Sequence, residues 1–404
     1  MKKNINLYLI YYFLILLIFS YIFLYNKHLV ANDSTISEYL INYEGGFTKR
    51  GLIGQLAIEI SKFFNQKLRW TIFLLQSTIC TIYFLLLFNL LKKVEYNKIT
   101  ILTILSPIFI FYPIAEIEVL ARKEIIIFSL FLLYLSIPRQ NYLNFFSLTI
   151  FSTLSVLIWE PVVFFFPIIL IFEIIQNKVN KINLNLVKII ISFIPSLIIC
   201  LIFITKPLSD SEHQLMALIL KKDFGEACYM SCNLLLSKST LMQQFQGNYD
   251  KYSFEVFFRY FLIIIIGFYP LYTLIKFSFF KEKNLIFSKF ITNPLTLFFI
   301  SLTPVILLFA MGYDWGRWVN ITYVFLVIIY FKLLISDDLI LNISEIKNNW
   351  ISNLNNKIFF FLFIIFCFGW HPKTVISDDV GSIPGYRAPY KIFKILKTKI
   401  MSLD

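Results

Sequence analysis

Charged residues are scarce in this sequence of 404 residues, where Asp, Glu, Lys and Arg together make up 15% of the chain. Ordinary globular proteins carry roughly 25%. Hydrophobic residues account for 58% of the chain, and apolar runs of about 18 or more residues recur along its whole length. A water-soluble domain cannot bury this much apolar surface. The composition therefore excludes a soluble enzyme and predicts an integral membrane protein.

The apolar runs also lack the alternation of polar and apolar positions that is typical of a transmembrane β-barrel. Backbone polar groups must be hydrogen-bonded inside lipid, so we expect the runs to be helices. The predicted fold is an all-α transmembrane bundle of about eleven spans, within a range of about 10–12, that forms one integral membrane domain over residues 1–404. The predicted spans are 5–25, 70–91, 99–115, 124–138, 142–159, 161–176, 188–205, 255–276, 292–312, 319–335 and 357–370.

The orientation is predicted from the Lys and Arg residues of the short loops, which favour the cytoplasmic side. A cytoplasmic N-terminus puts segments 1–4, 92–98, 139–141, 177–187, 277–291 and 336–356 inside. The outer segments are then 26–69, which includes an amphipathic stretch at 51–64, together with 116–123, 160, 206–254, 313–318 and the amphipathic tail 371–404. Every distinctive polar motif falls on the outer side.

Signatures of metal and nucleotide chemistry are absent from the sequence, which has no HExxH, no paired CxxC, no Walker A and no GxGxxG motif. The net charge of +13 comes mostly from Lys residues between apolar runs, where they anchor helices at the headgroups. We therefore predict neither a metal site nor a nucleic-acid partner.

Five cysteines are present. Cys80, Cys200 and Cys367 lie in apolar runs and are expected to be buried. Cys228 and Cys232 form the one close pair, and on an oxidising outer side they could form a disulfide. Their spacing in a regular helix would not suit a bridge, so the sequence leaves this question open.

Arginine is used sparingly, since seven of the 37 basic residues are Arg. Arg139 alone falls on the predicted inner side, whereas the others lie outside or at the outer boundary, namely Arg50, Arg69, Arg122, Arg259, Arg317 and Arg387. A guanidinium group binds phosphate or carboxylate in a bidentate way that an ammonium group cannot. The distribution indicates an outward site for an anionic ligand. Interfacial anchoring and ion pairs with nearby acids are the alternative.

Residues 44–51, EGGFTKRG, form the most informative segment of the first outer loop. The three glycines allow backbone positions with positive φ and close approach of a ligand. Amides that precede a helix at Gly51 would form an anion-binding concavity. Glu44 could act as a base and Arg50 as a phosphate clamp. Alternatively, the segment is a tight loop that re-enters the membrane surface.

Five ionisable residues crowd the short segment between the third and fourth predicted spans, namely Glu116, Glu118, Arg122, Lys123 and Glu124. Such a cluster at a membrane boundary is costly unless its members pair or bind something. Arg122 has an unfavourable charge for a helix start. This favours either a bound anion or an ion pair with Glu118.

Glu160 lies between two predicted spans that have almost no loop between them. A lone carboxylate at this depth could act as a general acid or base. It could equally cap the next helix, since Pro161 suits a first helical turn. His213, in the 206–254 loop, is next to an acid, but a lone histidine is more often structural than catalytic.

The segment Asp314-Trp315-Gly316-Arg317-Trp318 places an acid and an arginine across a glycine turn between two tryptophans. Tryptophan at this position is expected from the aromatic belt of membrane proteins. Its ring could also stack on a sugar, while the acid and the arginine bind hydroxyls or phosphates. Both interpretations remain open.

Together, residues 44–51, 121–124, 159–161 and 314–318 resemble motifs of the bacterial envelope enzymes that act on polyprenyl-linked sugars. In particular, the layout is similar to the repeat-unit polymerases of O-antigen, lipopolysaccharide and capsule assembly. The resemblance implies a glycosyltransferase of the bacterial inner (plasma) membrane whose active face is extracytoplasmic. It would transfer a growing glycan from polyprenyl pyrophosphate to the next lipid-linked unit. The implied partners are polyprenyl-linked oligosaccharide, membrane lipids and other polysaccharide-assembly proteins, and no cofactor is implied.

The resemblance also assigns expected roles. Pyrophosphate would be bound by Arg50, Arg122, Lys123 and Arg317. The base would be one of Glu44, Glu160 and Asp314, and the sugar platform would be Trp315 and Trp318, with Glu124 and His213 as further loop candidates. We expect the three arginines to converge on one lipid.

Two other functions are weaker alternatives. Membrane glycosyltransferases of the GT-C type use polyprenyl-phosphate sugars, often with a divalent cation, and place a catalytic acid in the first outer loop, where Asp33, Glu38 and Glu44 lie. A flippase or transporter of lipid-linked oligosaccharide usually has internal repeats and charges near the bilayer midplane. Neither feature is found in this sequence.

Overall fold

The computed structural model describes residues 2–30, 34–138, 141–236, 241–249, 251–288, 290–376, 382–384 and 396. Arg139, Arg387, Asp33 and most of the predicted tail 371–404 lie outside the described residues. The helices are α1 Lys2–Leu29, α2 Ser34–Ser37, α3 Gly51–Phe64, α4 Leu68–Leu91, α5 Lys98–Ile104, α6 Tyr112–Ala115, α7 Ile117–Leu120, α8 Glu124–Ser136, α9 Asn141–Ile158, α10 Phe166–Gln176, α11 Leu184–Thr205, α12 Asp210–Phe224, α13 Met230–Asn233, α14 Leu241–Tyr249, α15 Phe254–Lys276, α16 Pro294–Ser301, α17 Ile306–Met311, α18 Trp315–Ile335, α19 Ile343–Asn348, α20 Trp350–Asn353 and α21 Asn356–Phe368. Short 3-10 helices cover Glu38–Leu40, Glu160–Phe165, Leu234–Leu236 and Thr303–Val305.

Long apolar helices identify an all-α membrane protein, as the composition predicts. Among the described residues, six helical segments are long and apolar enough to cross a bilayer, namely Ile5–Leu29, Leu68–Leu91, Leu184–Thr205, Phe254–Lys276, Pro294–Met311 and Trp315–Ile335. Shorter apolar helices cover Glu124–Ser136, Leu143–Ile158 and Asn356–Phe368. The total of about eleven spans and the orientation remain predictions.

Proline interrupts predicted spans that the sequence presents as continuous. The predicted span 99–115 loses its helix after Ile104, just before Pro107, and the span 292–312 is divided by the 3-10 turn Thr303–Val305 around Pro304. Proline has no backbone N–H and clashes with the preceding turn, which favours a break at these two places, although α11 and α15 continue through Pro195 and Pro270. The predicted turn 313–318 differs as well, because α18 already begins at Trp315.

A two-stranded antiparallel ribbon joins β1, Ser278–Phe280, to β2, Leu339–Leu341, with Phe279 opposite Ile340. Strands of three residues leave too little alternation to be detected in an apolar sequence. The 206–254 loop likewise contains helical structure, since α12, α13 and α14 lie within it.

The chain divides into two compact units. The Arg50 unit comprises Asn6–Lys92 and Ile117–Thr240, and the Arg317 unit comprises Met1–Ile5, Lys93–Glu116 and Leu241–Asp404. In the Arg50 unit, α8 packs on α4 and α9, and α9 also packs on α11. In the Arg317 unit, α18 is buried over most of its length. A single membrane domain remains a prediction.

Candidate functional site

A chain of ion pairs in the Arg50 unit links four charged side chains. Arg122 donates from Nη1 to Oε1 of Glu38 at 2.8 Å, and Nη1 of Arg50 lies 4.0 Å from the same oxygen. Arg50 also holds Glu160 with both arms of its guanidinium, at 2.8 Å from Nε and 2.9 Å from Nη2. We call these four residues the arginine cluster. It brings together three of the residues predicted as site residues.

The arginine cluster has a buried end and a more accessible end. The side chains of Glu38 and Arg122 are 1% and 9% exposed, respectively. Those of Arg50 and Glu160 are 24% and 19% exposed. An anion that approaches from outside would therefore meet the Arg50–Glu160 pair before it reached Arg122.

Arg122 retains an unused donor at the buried end. Its Nε is buried and has no hydrogen-bond partner within the described part of the chain. A buried donor without a partner is uncommon in proteins, and this one could donate to a further anion.

Lys123 supports the backbone of Arg50. Its side chain is fully buried, and its Nζ donates to the carbonyl oxygen of Arg50. Arg50 has a left-handed backbone with φ of 63° immediately before α3, a conformation that costs free energy for a residue with a side chain. Lys123 therefore holds Arg50 in place from inside the protein. The sequence predicted instead that Lys123 contacts the ligand directly.

The burial of the arginine cluster changes its proton affinities. Burial lowers the pKa of Lys123 to about 7, despite the nearby Glu38 carboxylate. Burial by itself would raise the pKa of Glu160, but the charge and hydrogen bonds of Arg50 outweigh it and lower that pKa. Near neutral pH, Glu160 is thus an ionised partner of Arg50, and Lys123 is close to its own midpoint.

Glycines of segment 44–51 pack closely within the protein, and close approach of a ligand to this loop remains a prediction. A Cβ on Gly45 would lie 2.0 Å from the carbonyl oxygen of Glu212 in α12. A Cβ on Gly51 would lie 2.2 Å from the ring of Tyr43. The backbone of the loop approaches other protein atoms at these two positions.

Glu44 fastens the same loop to α3. Its carboxylate accepts hydrogen bonds from Nζ of Lys62 at 2.9 Å and from Nε2 of Gln55 at 3.3 Å. The hydrogen bond from Lys62 lowers the pKa of Glu44. A carboxylate with a lowered pKa is a weak base while its ion pair holds, and this is true of Glu44 with Lys62 as it is of Glu160 with Arg50.

Glu38 is the cluster residue that the sequence pattern missed. The predicted partner of Arg122 was Glu118, a near neighbour in sequence, whereas the observed partner lies 84 positions away. The sequence had suggested Glu38 only as an acid of the GT-C alternative. Glu124 is also buried at the start of α8.

Asp314 and Arg317 form an ion pair of 3.0 Å in the first turn of α18, within the Arg317 unit. The guanidinium carbon of Arg317 also lies 5.2 Å from the centre of the Trp318 ring. Arg50 and Arg122 therefore share one cluster, whereas Arg317 has its own partners in the other unit. Convergence of all three arginines remains a prediction.

The two tryptophans beside Arg317 are buried. Trp315 and Trp318 are 6% and 7% exposed, and Trp315 packs against Tyr260 and Phe309 with ring centres 5.3 and 5.7 Å away. The indole N–H of Trp315 donates to the carbonyl oxygen of Phe309. Trp315 therefore has a packing role, and the structure gives it no exposed face for stacking on a sugar.

Residues after α21 complete the surroundings of Glu116. Lys373 donates to Glu116 at 2.9 Å and Thr374 at 3.3 Å, while Nδ1 of His371 lies 3.3 Å away. The carbonyl of Lys373 packs so closely on Gly316 that a Cβ there would lie 1.9 Å from its oxygen. Glu116 thus ties the chain after α21 to the end of α6, within the Arg317 unit.

Cys228 and Cys232 form a disulfide, with their Cα atoms 5.3 Å apart. The bridge is feasible because α13 begins only at Met230, so the two cysteines do not share a regular helix. Nε2 of His213 lies 3.2 Å from Sγ of Cys228. The acid next to this histidine, Glu212, instead caps the start of α12.

Comparison with known proteins identifies no relative, since no family model, no curated protein and no solved structure matches the chain. The function of this protein is therefore inferred from the geometry of the arginine cluster and from the membrane setting of the chain.

Proposed function

We propose that this protein is a polymerase of cell-surface polysaccharide repeat units, acting at the extracytoplasmic face of the bacterial inner membrane. It would transfer a growing glycan from polyprenyl pyrophosphate to a sugar hydroxyl of the next lipid-linked unit. The supporting observation is the arginine cluster, in which two guanidinium groups from distant parts of a membrane protein each hold an oxyanion. The carboxylate of Glu160, at the accessible end, occupies a position that phosphate oxygens could take.

Binding would begin by exchange at the accessible end of the arginine cluster. The pyrophosphate displaces Glu160 from Arg50, because both anions compete for the same guanidinium fork and the phosphate carries more charge. The unpaired Nε of Arg122 supplies a further donor, while Glu38 keeps Arg122 in position. The polyprenyl tail lies in the surrounding membrane.

The same exchange would prepare Glu160 to act as the base. Arg50 is what keeps the pKa of Glu160 low against the effect of burial, so loss of this partner raises that pKa. The sugar hydroxyl then attacks the anomeric carbon and gives its proton to Glu160. The bond from that carbon to the pyrophosphate oxygen breaks, and its electron pair leaves with the pyrophosphate, whose charge Arg50 and Arg122 stabilise.

A charge swap separates this role from a purely structural ion pair. The experiment measures glycan chain length in a strain that lacks the protein and is complemented with Arg50→Glu, Glu160→Arg or the double variant. We expect single-unit caps from all three variants, because the reversed pair can restore the ion pair but leaves neither the phosphate ligand nor the base in place.

A matched control exists in the same unit. Arg69 binds Glu226 with the same two-armed geometry, at 2.8 and 2.6 Å, so the double variant Arg69→Glu with Glu226→Arg should retain long chains. Long chains from the Arg50–Glu160 swap, at matched expression, would show that this pair is only structural. Glycans with missing sugars, in place of single-unit caps, would indicate a transferase.

A further inference from the structure

The bridge between Cys228 and Cys232 joins a partly exposed cysteine to a buried one. Cys228 is partly exposed, whereas Cys232 is completely buried. His213, on α12, is itself buried, and its Nε2 lies 3.2 Å from Sγ of Cys228 and 3.2 Å from the carbonyl oxygen of Cys232. The less buried cysteine of the bridge is therefore also the one whose sulfur lies beside an imidazole.

This asymmetry matters for sulfur chemistry. A thiolate is the form that attacks a disulfide, and a neighbouring imidazole promotes it by accepting the thiol proton. A buried second thiol, close to the first, can then resolve the intermediate. The three ligand atoms of His213, Cys228 and Cys232 all lie within 4.8 Å of one another, so one histidine can serve both sulfurs.

We propose that Cys228, Cys232 and His213 form a thiol-exchange site at which Cys228 is the sulfur that reacts with an external disulfide. This inference does not depend on the proposed function of the protein. It concerns covalent chemistry in the 206–254 segment, and the reaction proposed for the arginine cluster does not involve this chemistry.

In the reduced protein, the tautomer of His213 that carries its proton on Nδ1 accepts the thiol proton of Cys228 on Nε2, and the Cys228 thiolate attacks one sulfur of an external disulfide, RSSR. The S–S bond of RSSR breaks, and the released thiolate takes the proton from Nε2 of His213 and leaves as RSH. The thiol of Cys232 then gives its proton to His213 in the same way, its thiolate attacks Sγ of Cys228, and the expelled RS⁻ takes that proton and leaves as the second RSH. Two electrons pass from the protein dithiol to RSSR, and the reverse sequence opens the bridge.

The test uses the full-length protein in detergent, with glutathione disulfide as the probe and peptide mass mapping to locate the adduct. Cys232→Ser and Cys228→Ser each leave one sulfur of the pair available. We expect the adduct to form on Cys228 at least about tenfold faster than on Cys232. Adding His213→Gln to Cys232→Ser should slow the reaction of Cys228 by about tenfold, and the rates should become equal in SDS, where the fold is lost.

A second measurement needs no substitution. The native protein is treated with reduced glutathione and quenched with acid, which traps the mixed disulfide, and we expect the adduct on Cys228. An adduct mainly on Cys232 would overturn the proposal. So would equal rates for the two cysteines in the folded variants, or a rate that His213→Gln leaves unchanged.

Discussion

Arg50 combines an unfavourable backbone with a demanding side-chain position. Its left-handed conformation turns the chain into α3, while its guanidinium lies between the carboxylates of Glu160 and Glu38. The buried Lys123 donates a hydrogen bond to the backbone carbonyl of Arg50. An arginine held in this way loses little further entropy when it binds an anion, which favours tight and specific binding.

The buried Lys123 predicts a pH dependence of stability. Burial lowers its pKa to about 7 in the folded protein, whereas in the unfolded chain it returns to roughly 10.4. Between these two pKa values the unfolded chain binds more protons than the folded protein does. The free energy of unfolding therefore rises with pH across this interval, by up to about 4 kcal/mol. Below about pH 7 both states are protonated, and Lys123 adds no further slope.

The measurement compares thermal unfolding of the wild type and Lys123→Met in detergent from pH 6 to 10. Other groups titrate in both proteins, so the difference between the two curves isolates Lys123. We expect the wild type to gain stability relative to Lys123→Met as the pH rises above 7. Parallel curves would mean that Lys123 keeps its usual proton affinity.

At the scale of elements, α3 must fit closely against the segment that carries Glu38. Gly54 is the point of contact, because a Cβ there would lie 1.9 Å from the carbonyl oxygen of Ile41 and 2.8 Å from that of Tyr39. Those atoms belong to the backbone and cannot rotate away. The position of Glu38 thus depends on Gly54, and the sequence does not reveal which segment this glycine packs against.

Gly54→Ala should therefore destabilise the protein by about 1–3 kcal/mol, the usual range for overpacking. Gly247 is a matched control in α14, since a Cβ there meets nothing within 4 Å. Gly247→Ala should be neutral or stabilising by up to about 1 kcal/mol, because alanine suits a helix interior better than glycine. The melting temperatures of both variants in detergent check the prediction, and equal values would contradict it.

The elements also show which parts of the structure the sequence can predict. The amphipathic helix α3 has the bounds 51–64 that its pattern indicates, because a 3.6-residue period is a local property. The break at Thr303–Val305 was missed, since hydropathy does not register where proline ends a helix. The partners of Arg122 and Arg50 could not be predicted, because Glu38 and Glu160 lie 84 and 110 positions away from them.

For the whole molecule, composition was sufficient to predict a helical membrane protein, because apolar length is what the bilayer selects. The number of spans is harder, since α8, α9 and α21 are apolar but shorter than the six long segments. Hydropathy cannot decide whether such helices cross the membrane or end within the protein. The orientation rests on loop charges alone.

Two single cysteines test this orientation. Asp223, at the end of α12, and Glu282 are both exposed, and they lie in predicted outer and inner segments, respectively. An impermeant maleimide should label Asp223→Cys in intact cells and should label Glu282→Cys only after permeabilisation. The reverse pattern would place the arginine cluster's loops on the cytoplasmic side.

The most direct measurement is the binding of a short polyprenyl pyrophosphate to the purified protein. Farnesyl pyrophosphate is titrated by calorimetry into the wild type, Arg50→Lys, Arg122→Lys and the control Arg69→Lys. We predict saturable binding that each cluster variant weakens by about tenfold or more, because lysine loses one arm of a charged bidentate contact, while Arg69→Lys binds as the wild type does. Equal affinity in all four proteins, or equal binding of farnesol, would contradict a pyrophosphate site at Arg50 and Arg122.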